Sequence, residues 1–436
     1  MKKLRNILLI LVLAVTTTQA QVLTLADALK TALSQNYDVQ VSGNNVKTAD
    51  ILNNPGNAGM LPSVNLNGGA NFSNNNIRQE FSNGIVVNRN NVAAQNYNAS
   101  AGVTMVLFDG LRMFFAKKRL GMEEAAAGIS NERQILTTVL SVLNAYYRTA
   151  TFQQQVIWLE EMNVLASQRS EIAKKRFESG RTGEFEYLQA QSDELSVRTA
   201  RLRMMNAHRS SGIDLCNLIN KDFTENVKVE LSDKIDTTIR RETLLGQIEQ
   251  KNPDIQLAKK MTEISGMMLK EARSGMYPVL NASAAYGFNR SQNKAGFALL
   301  NQNLGLNYGV GISVPVLNGL NVRTAVRTGK ISKLNAELRY RQALQNAKAQ
   351  LESNYSGYVY SLEIFKAEKL NRDISARNLR ILNERYLNGI TDQTTVSLAQ
   401  QVFLMASQRY ADAYLALKQS EIALWSLVGV YRSESN

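Results

Sequence analysis

Residues 96–111 read N-Y-N-A-S-A-G-V-T-M-V-L-F-D-G-L. Tyr97, Ala99, Ala101, Val103, Met105 and Leu107 alternate with Asn96, Asn98, Ser100, Gly102 and Thr104. An apolar row at every second position marks a strand whose two faces meet different surroundings. The alternation stops at Asp109-Gly110, and a helical pattern begins at Leu111, with Asp109 as a natural cap. The handover recurs once. A second row of Leu304, Leu306, Tyr308, Val310, Ile312, Val314 and Val316 lies opposite Gly305, Asn307, Gly309, Gly311 and Ser313, and it ends at Asn318-Gly319-Leu320 with Asn318 in the cap position.

The recurrence extends along the chain. Phe108-Asp109-Gly110-Leu111 answers Leu317-Asn318-Gly319-Leu320, and Arg176-Phe177-Glu178-Ser179-Gly180 answers Arg385-Tyr386-Leu387-Asn388-Gly389, both displaced by 209 residues. Upstream, Asn36-Tyr37-Asp38-Val39-Gln40 answers Asn252-Pro253-Asp254-Ile255-Gln256, and Gly59-Met60-Leu61-Pro62 answers Gly275-Met276-Tyr277-Pro278, displaced by 216. One loop of the first half, between Pro62 and Asp109, is therefore seven residues longer. Two tandem copies of roughly 190 residues exceed the 20–50-residue period of a solenoid.

Each copy holds one more alternating segment. Val64, Leu66, Ala70 and Phe72 lie opposite Ser63, Asn65, Asn67, Asn71 and Ser73, and Leu280, Ala282, Ala284, Tyr286 and Phe288 form a row in the second copy. A water-soluble sandwich also alternates. Strands of ten residues or more, joined by an Asn-rich tip at residues 74–95 without helical period, favour a sheet with lipid on one face and water on the other. Four strands cannot close a spanning barrel, whose smallest members have about eight, and an unclosed edge in hydrocarbon leaves backbone groups unpaired. Several chains must then share one barrel.

Beyond each handover runs a helical pattern without proline. Ile135, Val139, Val142 and Tyr146 form one stripe, and Leu136, Leu140, Leu143 and Tyr147 form a second, one residue over. A helix with two adjacent stripes needs two neighbours. The second copy keeps the spacing at Tyr355, Tyr358, Leu362 and Phe365. At 1.5 Å per residue each helix is roughly 100 Å long. Both end at a glycine turn, R-F-E-S-G-R-T-G and R-Y-L-N-G-I-T-D, where Gly180 and Gly389 supply the left-handed residue that stops a helix.

The organisation expected is a signal peptide at 1–20 and a first repeat at 21–220, with strands at about 62–77 and 96–108, a long helix at about 111–179 and a return helix at about 184–219. A joining segment follows at 221–245, with a brief strand at Val227, Val229 and Leu231. The second repeat occupies 246–430, with strands at about 278–290 and 303–317, a long helix at about 320–388 and a return helix at about 394–429.

Composition narrows the function. Lys2, Lys3 and Arg5, an apolar run from Ile7 to Val15 and a small-residue stretch ending at Ala20 read as a secretory signal. No later run is apolar for the roughly 18 residues of a membrane helix, so any span of the mature chain must be β. No cysteine near Ala20 indicates a lipid anchor. The formal charge of +13 falls to +10 without the signal, and its scattered excess on an exported chain argues against nucleic acid. One Cys and one His exclude a multi-Cys metal site and most His-dependent catalysis. No cofactor or metal is called for. No acid pair stands at strand spacing, and the strands hold almost no acids, so an enzyme is not expected.

The Gly-x-x-Pro strand starts, the exits V-L-F-D-G-L and V-P-V-L-N-G-L, the turns R-F-x-x-G and R-Y-x-x-G, and Gln189-Ala190-Gln191 and Ala399-Gln400-Gln401 beyond them resemble the TolC-type outer-membrane efflux channel family over essentially the whole mature chain. The resemblance implies an α+β membrane protein: a homotrimer whose chains give four strands each to a twelve-stranded transmembrane barrel, continued by a long periplasmic α-helical barrel. It implies location in the outer membrane of a Gram-negative bacterium, with outer-membrane lipid around the barrel and the helices extending into the periplasm. It further implies a passive exit duct of a tripartite efflux or type I secretion system, opened by a periplasmic adaptor and an inner-membrane transporter that meet the tip at the glycine turns. The tip, gate and adaptor-contact residues are then Arg176, Phe177, Gly180, Glu184, Glu186, Arg385, Tyr386, Gly389 and Asp392. The family's acidic ring, six and nine residues past the second turn glycine, falls here on Thr395 and Leu398, so that gate does not transfer. Asn53-Asn54-Pro55-Gly56 replaces Leu269-Lys270-Glu271-Ala272 of the other copy and should break or kink the helix below the barrel.

The rival is a periplasmic coiled-coil adaptor without its own pore, which explains the rods but not the four strands. Gly309-Val310-Gly311 lies inside a strand and is no dinucleotide fingerprint. His208, beside Arg203, Asn206 and Arg209, reads as a surface side chain without a second ligand, and Cys216 as a small core residue. Arg385 and Tyr386 either gate or simply pack, because both uses leave the same sequence mark.

Overall fold

The computed structural model describes residues 22–222, 227–230, 235, 237–294 and 298–429. The leader expected at 1–20 and Leu231 of the brief joining strand lie outside the described residues. In chain order the elements are α1 (Leu25–Gln35), α2 (Tyr37–Leu52), β1 (Ser63–Glu80), β2 (Val86–Phe108), α3 (Arg112–Glu178), α4 (Glu184–Ile219), α5 (Arg241–Lys251), α6 (Pro253–Ser274), β3 (Val279–Asn293), β4 (Leu300–Ser313), α7 (Asn321–Leu387) and α8 (Gln393–Leu427). The chain is mostly helical with one four-stranded sheet. Contacts divide it into two compact units, one of residues 45–128 and 257–341, the other of the described parts of 1–44, 129–256 and 342–436.

In the first unit the strands pair antiparallel in the order β1-β2-β3-β4. The register joins the alternating rows into one surface. Leu66 faces Ala101, Ala101 faces Tyr286 and Tyr286 faces Leu306, while Val64, Val103, Ala284 and Tyr308 form the adjacent layer. The intervening layers are Asn65, Gly102, Ala285 and Asn307, then Asn67, Ser100, Gly287 and Gly305. A one-residue slip in any pair would scatter these faces, so the alternation fixes the register. The apolar face is uncovered within the chain, with Leu66 83% and Tyr308 81% exposed.

Two stretches depart from the expected pattern. The Asn-rich tip is a continuation of the hairpin: Asn74 pairs with Ala93 and the ladder runs on to Glu80 opposite Val86. A shift between Asn75 and Ile77 accommodates Asn91, whose φ is 67° and whose N–H donates to Asn76 Oδ1 at 2.9 Å. Ile77, Val86, Val87 and Val92 are mixed with Asn, Arg, Gln and Glu on both faces there, so backbone pairing leaves no period-two signal in the side chains. At the other end β4 stops at Ser313, ahead of Val314-Pro315, because proline has no N–H to give a ladder. Where Pro55 was expected to disturb a helix, α2 ends at Leu52 and turns follow, with Met60 N–H donating to Pro55 O at 2.9 Å, whereas α6 runs to Ser274. Gly110 has φ 70°, and a Cβ there would come within 2.6 Å of Ser274 O, so the strand-to-helix handover requires glycine.

The second unit is held by two apolar clusters. In one, Val142, Tyr146, Leu215 and Ile219 pack with Leu23 and Val229, which form a parallel bridge. Tyr146 Oη lies 3.0 Å from Leu23 O and 2.9 Å from Glu230 O and accepts from Glu230 N–H at 3.1 Å. Seven residues on, the Gln153 amide bonds both Val229 N–H and O at 2.9 Å, so α3 supplies the pairing that a third strand would give. The corner between α1 and α2 is built on Asn36, whose Oδ1 accepts from Asp38 and Val39 N–H and whose Nδ2 donates to Leu218 O. Asn252 does the same for Asp254, Ile255 and Leu427 O between α5 and α6.

His208 is corrected by the structure. It is half-buried against Val227 with Nε2 shielded and unpartnered, and burial lowers its pKa despite a hydrogen bond with the Val227 backbone. The joining segment folds over it, which the helix pattern alone does not disclose. Cys216 is buried, and burial raises its thiol pKa.

Candidate functional site: the two glycine turns

Both long helices end in one backbone device. Gly180 at φ 68° donates to Phe177 O at 2.9 Å while Arg181 N–H reaches back to Arg176 O at 2.8 Å. Gly389 at φ 73° donates to Tyr386 O at 3.0 Å and Ile390 N–H to Arg385 O at 2.8 Å. The paired bonds form a Schellman cap, which satisfies carbonyls that the end of a helix otherwise leaves open.

The side chains join the turns. Arg176 Nη2 donates to Tyr386 O at 3.0 Å and Leu387 O at 3.3 Å, and its guanidinium sits 4.8 Å from the centre of the Tyr386 ring. A cation on the last carbonyls of α7 also meets the negative end of that helix. Tyr386 is 1% exposed, and burial pushes its phenol pKa up against the opposing pull of Arg176. Phe177 stacks on Tyr187 at 5.9 Å between centroids. The counterpart of Arg176, Arg385, has an exposed side chain and contributes its carbonyl to the cap.

The return helices start differently. Asp392 caps α8, accepting from Thr395 N–H at 2.8 Å and Thr395 Oγ1 at 3.0 Å, and these bonds hold its carboxyl below the usual aspartate value. Gly183 occupies the cap position of α4 without a side-chain bond, and Glu184 and Glu186 lie in the first turn, where the helix dipole favours negative charge. Thr395 is thus spent on the cap, and Leu398 is exposed.

Just inside the turns lies a buried polar group that pattern reading missed. Gln393 Nε2 donates to Asp193 Oδ2 at 3.1 Å and Gln189 Nε2 to Asp193 Oδ1 at 3.2 Å. Arg169 is 2% exposed, its Nε and Nη1 have no partner, and burial lowers its pKa, opposed by the charge of Asp193. Around it Met162, Ala166, Val197, Tyr386, Val396 and Phe403 form an apolar cluster. The signal was present: Met162, Ala166, Arg169 and Ala173 are spaced 4-3-4 on α3, so Arg169 stands in an apolar stripe. Among the described residues no group of His, Cys, Asp and Glu is placed to hold a metal ion, and no helix is long and apolar enough to cross a membrane.

The outer membrane efflux protein family matches residues 12–221 and 244–430. The toluene efflux pump outer membrane protein TtgC of Pseudomonas putida is 22% identical over 419 residues, covering 93% of this chain and 82% of its own length. The outer membrane protein TolC of Salmonella enteritidis is 21% identical over 422 residues, 95% of this chain and 83% of that protein. Among solved structures, the CmeC outer membrane channel of Campylobacter jejuni superposes with a TM-score of 0.79 at 16% identity, covering 94% of this chain and 87% of that one, which shows a shared fold.

Proposed function

The chain belongs to the outer membrane efflux protein family, and from that premise we propose that three copies close one twelve-stranded barrel continued by a periplasmic α-helical barrel, forming a single exit duct. Each chain gives two tandem repeats, 21–220 and 246–430, joined by 221–245 and preceded by a signal peptide at 1–20. An outer-membrane location and a role in efflux come with the family. The rival coiled-coil adaptor accounts for neither the family match nor the sheet.

The carrying observation is the register of the sheet, which places an apolar surface across all four strands and a neutral polar one behind it. Only lipid on one side and water on the other suits both faces. From Leu304 to Ile312 the apolar row covers eight residue steps, about 27 Å along the strand, or roughly 20 Å at a tilt of about 40°, near the ~25 Å band of outer-membrane barrels. Strands β1 and β4 are the free edges of the sheet, and hydrocarbon tolerates an edge only when another copy pairs with it.

The glycine turns form the periplasmic tip in this reading. Arg176, Phe177, Gly180, Glu184, Glu186, Arg385, Tyr386, Gly389 and Asp392 form or flank the gate and present the surface that a periplasmic adaptor, itself attached to an inner-membrane transporter, would grip. Opening is a population shift that the adaptor drives by binding the open tip more tightly than the closed one. Planar-bilayer recording tests the duct. Purified protein should conduct weakly and Arg176→Ala should conduct more, whereas absence of conductance from both would overturn it.

A further inference from the structure

Apart from the turns, the second unit contains a cleft of about 390 Å³ walled by α3, α4 and α8. That volume lies at the small end of ligand clefts, which run to roughly 300–1,000 Å³. Its apolar wall includes Trp158 of α3, Met204 of α4, and Leu404 and Met405 of α8. Trp158 packs with Tyr410, 5.9 Å away between centroids, and with the Arg372 guanidinium at 5.3 Å, contacts that restrain the ring before any ligand arrives. Thioethers beside an indole favour flat aromatic rings.

Two polar groups specify more. Arg203 is the one charged residue of the lining, and its side chain is exposed. Ser407 also lines the cleft, is 4% exposed, and its Oγ has no hydrogen-bond partner. A buried hydroxyl left unpaired is costly. We propose that this cleft is a binding site for a flat aromatic anion, with its rings against Trp158, Met204 and Met405, its charge at Arg203 and one hydrogen bond to Ser407. The residues lining the cleft all belong to one chain. A ligand touching three helices holds them together and stabilises the folded state by mass action.

The chain has two tryptophans, so a Trp425→Phe background leaves Trp158 as the sole donor. The mature protein in lipid nanodiscs is titrated with 8-anilino-1-naphthalenesulfonate, reading energy transfer from Trp158 and the melting temperature. We expect saturable transfer and a rising melting temperature. Arg203→Glu should weaken the sulfonate tenfold or more but leave the neutral N-phenyl-1-naphthylamine unchanged, and Ala200→Phe, which fills the cleft, should abolish both. Transfer that never saturates, or a sulfonate affinity indifferent to Arg203→Glu, overturns the proposal. If Ala200→Phe fails to fold, the Arg203→Glu contrast, made at an exposed side chain, decides alone.

Discussion

The turn at Gly180 and the turn at Gly389 have the same backbone and different side-chain employment. Their Schellman bonds match atom for atom across 209 residues of sequence. Yet Arg176 crosses to the carbonyls of α7 while Arg385 stays exposed, and Asp392 caps its return helix while Gly183 leaves α4 without a side-chain cap. The two turns share the bend and divide the labour: one supplies the connection, and the other receives it and carries the stronger helix start.

Substitutions at the two turns test that contrast. The largest effect is expected at Arg176→Ala, which removes charged hydrogen bonds to Tyr386 O and Leu387 O, worth about 2 kcal/mol, and should lower the melting temperature of the detergent-solubilised protein. Gly180→Ala and Gly389→Ala should each cost about 1 kcal/mol, since a positive φ strains an L-residue. No atom lies near either new Cβ, so the two costs should agree. Unequal values in thermal melts would show that the shared backbone is not equally strained.

Asp392→Asn should remove an acid-dependent part of stability. The folded carboxyl titrates below its unfolded value, so its contribution is complete above the unfolded value and lost as pH falls through the folded one. Melting temperature against pH should therefore lose part of its acid limb in the variant. The reciprocal change, Gly183→Ser, offers α4 the cap it lacks and should gain about 0.3 kcal/mol. Arg385→Ala should be smallest, within about 0.5 kcal/mol, and an effect equal to that of Arg176→Ala would erase the asymmetry. Tyr386→Phe separates gating from packing: altered conductance or antibiotic susceptibility indicates a gate, and unchanged behaviour in both indicates a packed ring.

What could be read in advance follows from the range of each interaction. Val103 and Tyr308 declared their face because a strand side chain meets its surroundings every second residue. Glu80 and Val86 did not declare their pairing, because apolar and polar side chains are mixed on both faces of that hairpin. The caps at Gly180 and Gly389 are local and were visible as R-F-x-x-G and R-Y-x-x-G. The contact of Arg176 with Tyr386 O spans 210 residues and has no local mark. Arg169 is legible in the sequence, because a cation in a 4-3-4 apolar stripe on α3 demands a buried environment. His208 is the converse case, because its cover comes from Val227, outside its own helix.

We propose that sister chains complete the wall begun by β1 and β4. Native mass spectrometry of the mature protein released from detergent measures this directly. The prediction is a complex of three chains that survives extraction; a single protomer, stable and fully folded in detergent-free buffer, would contradict it.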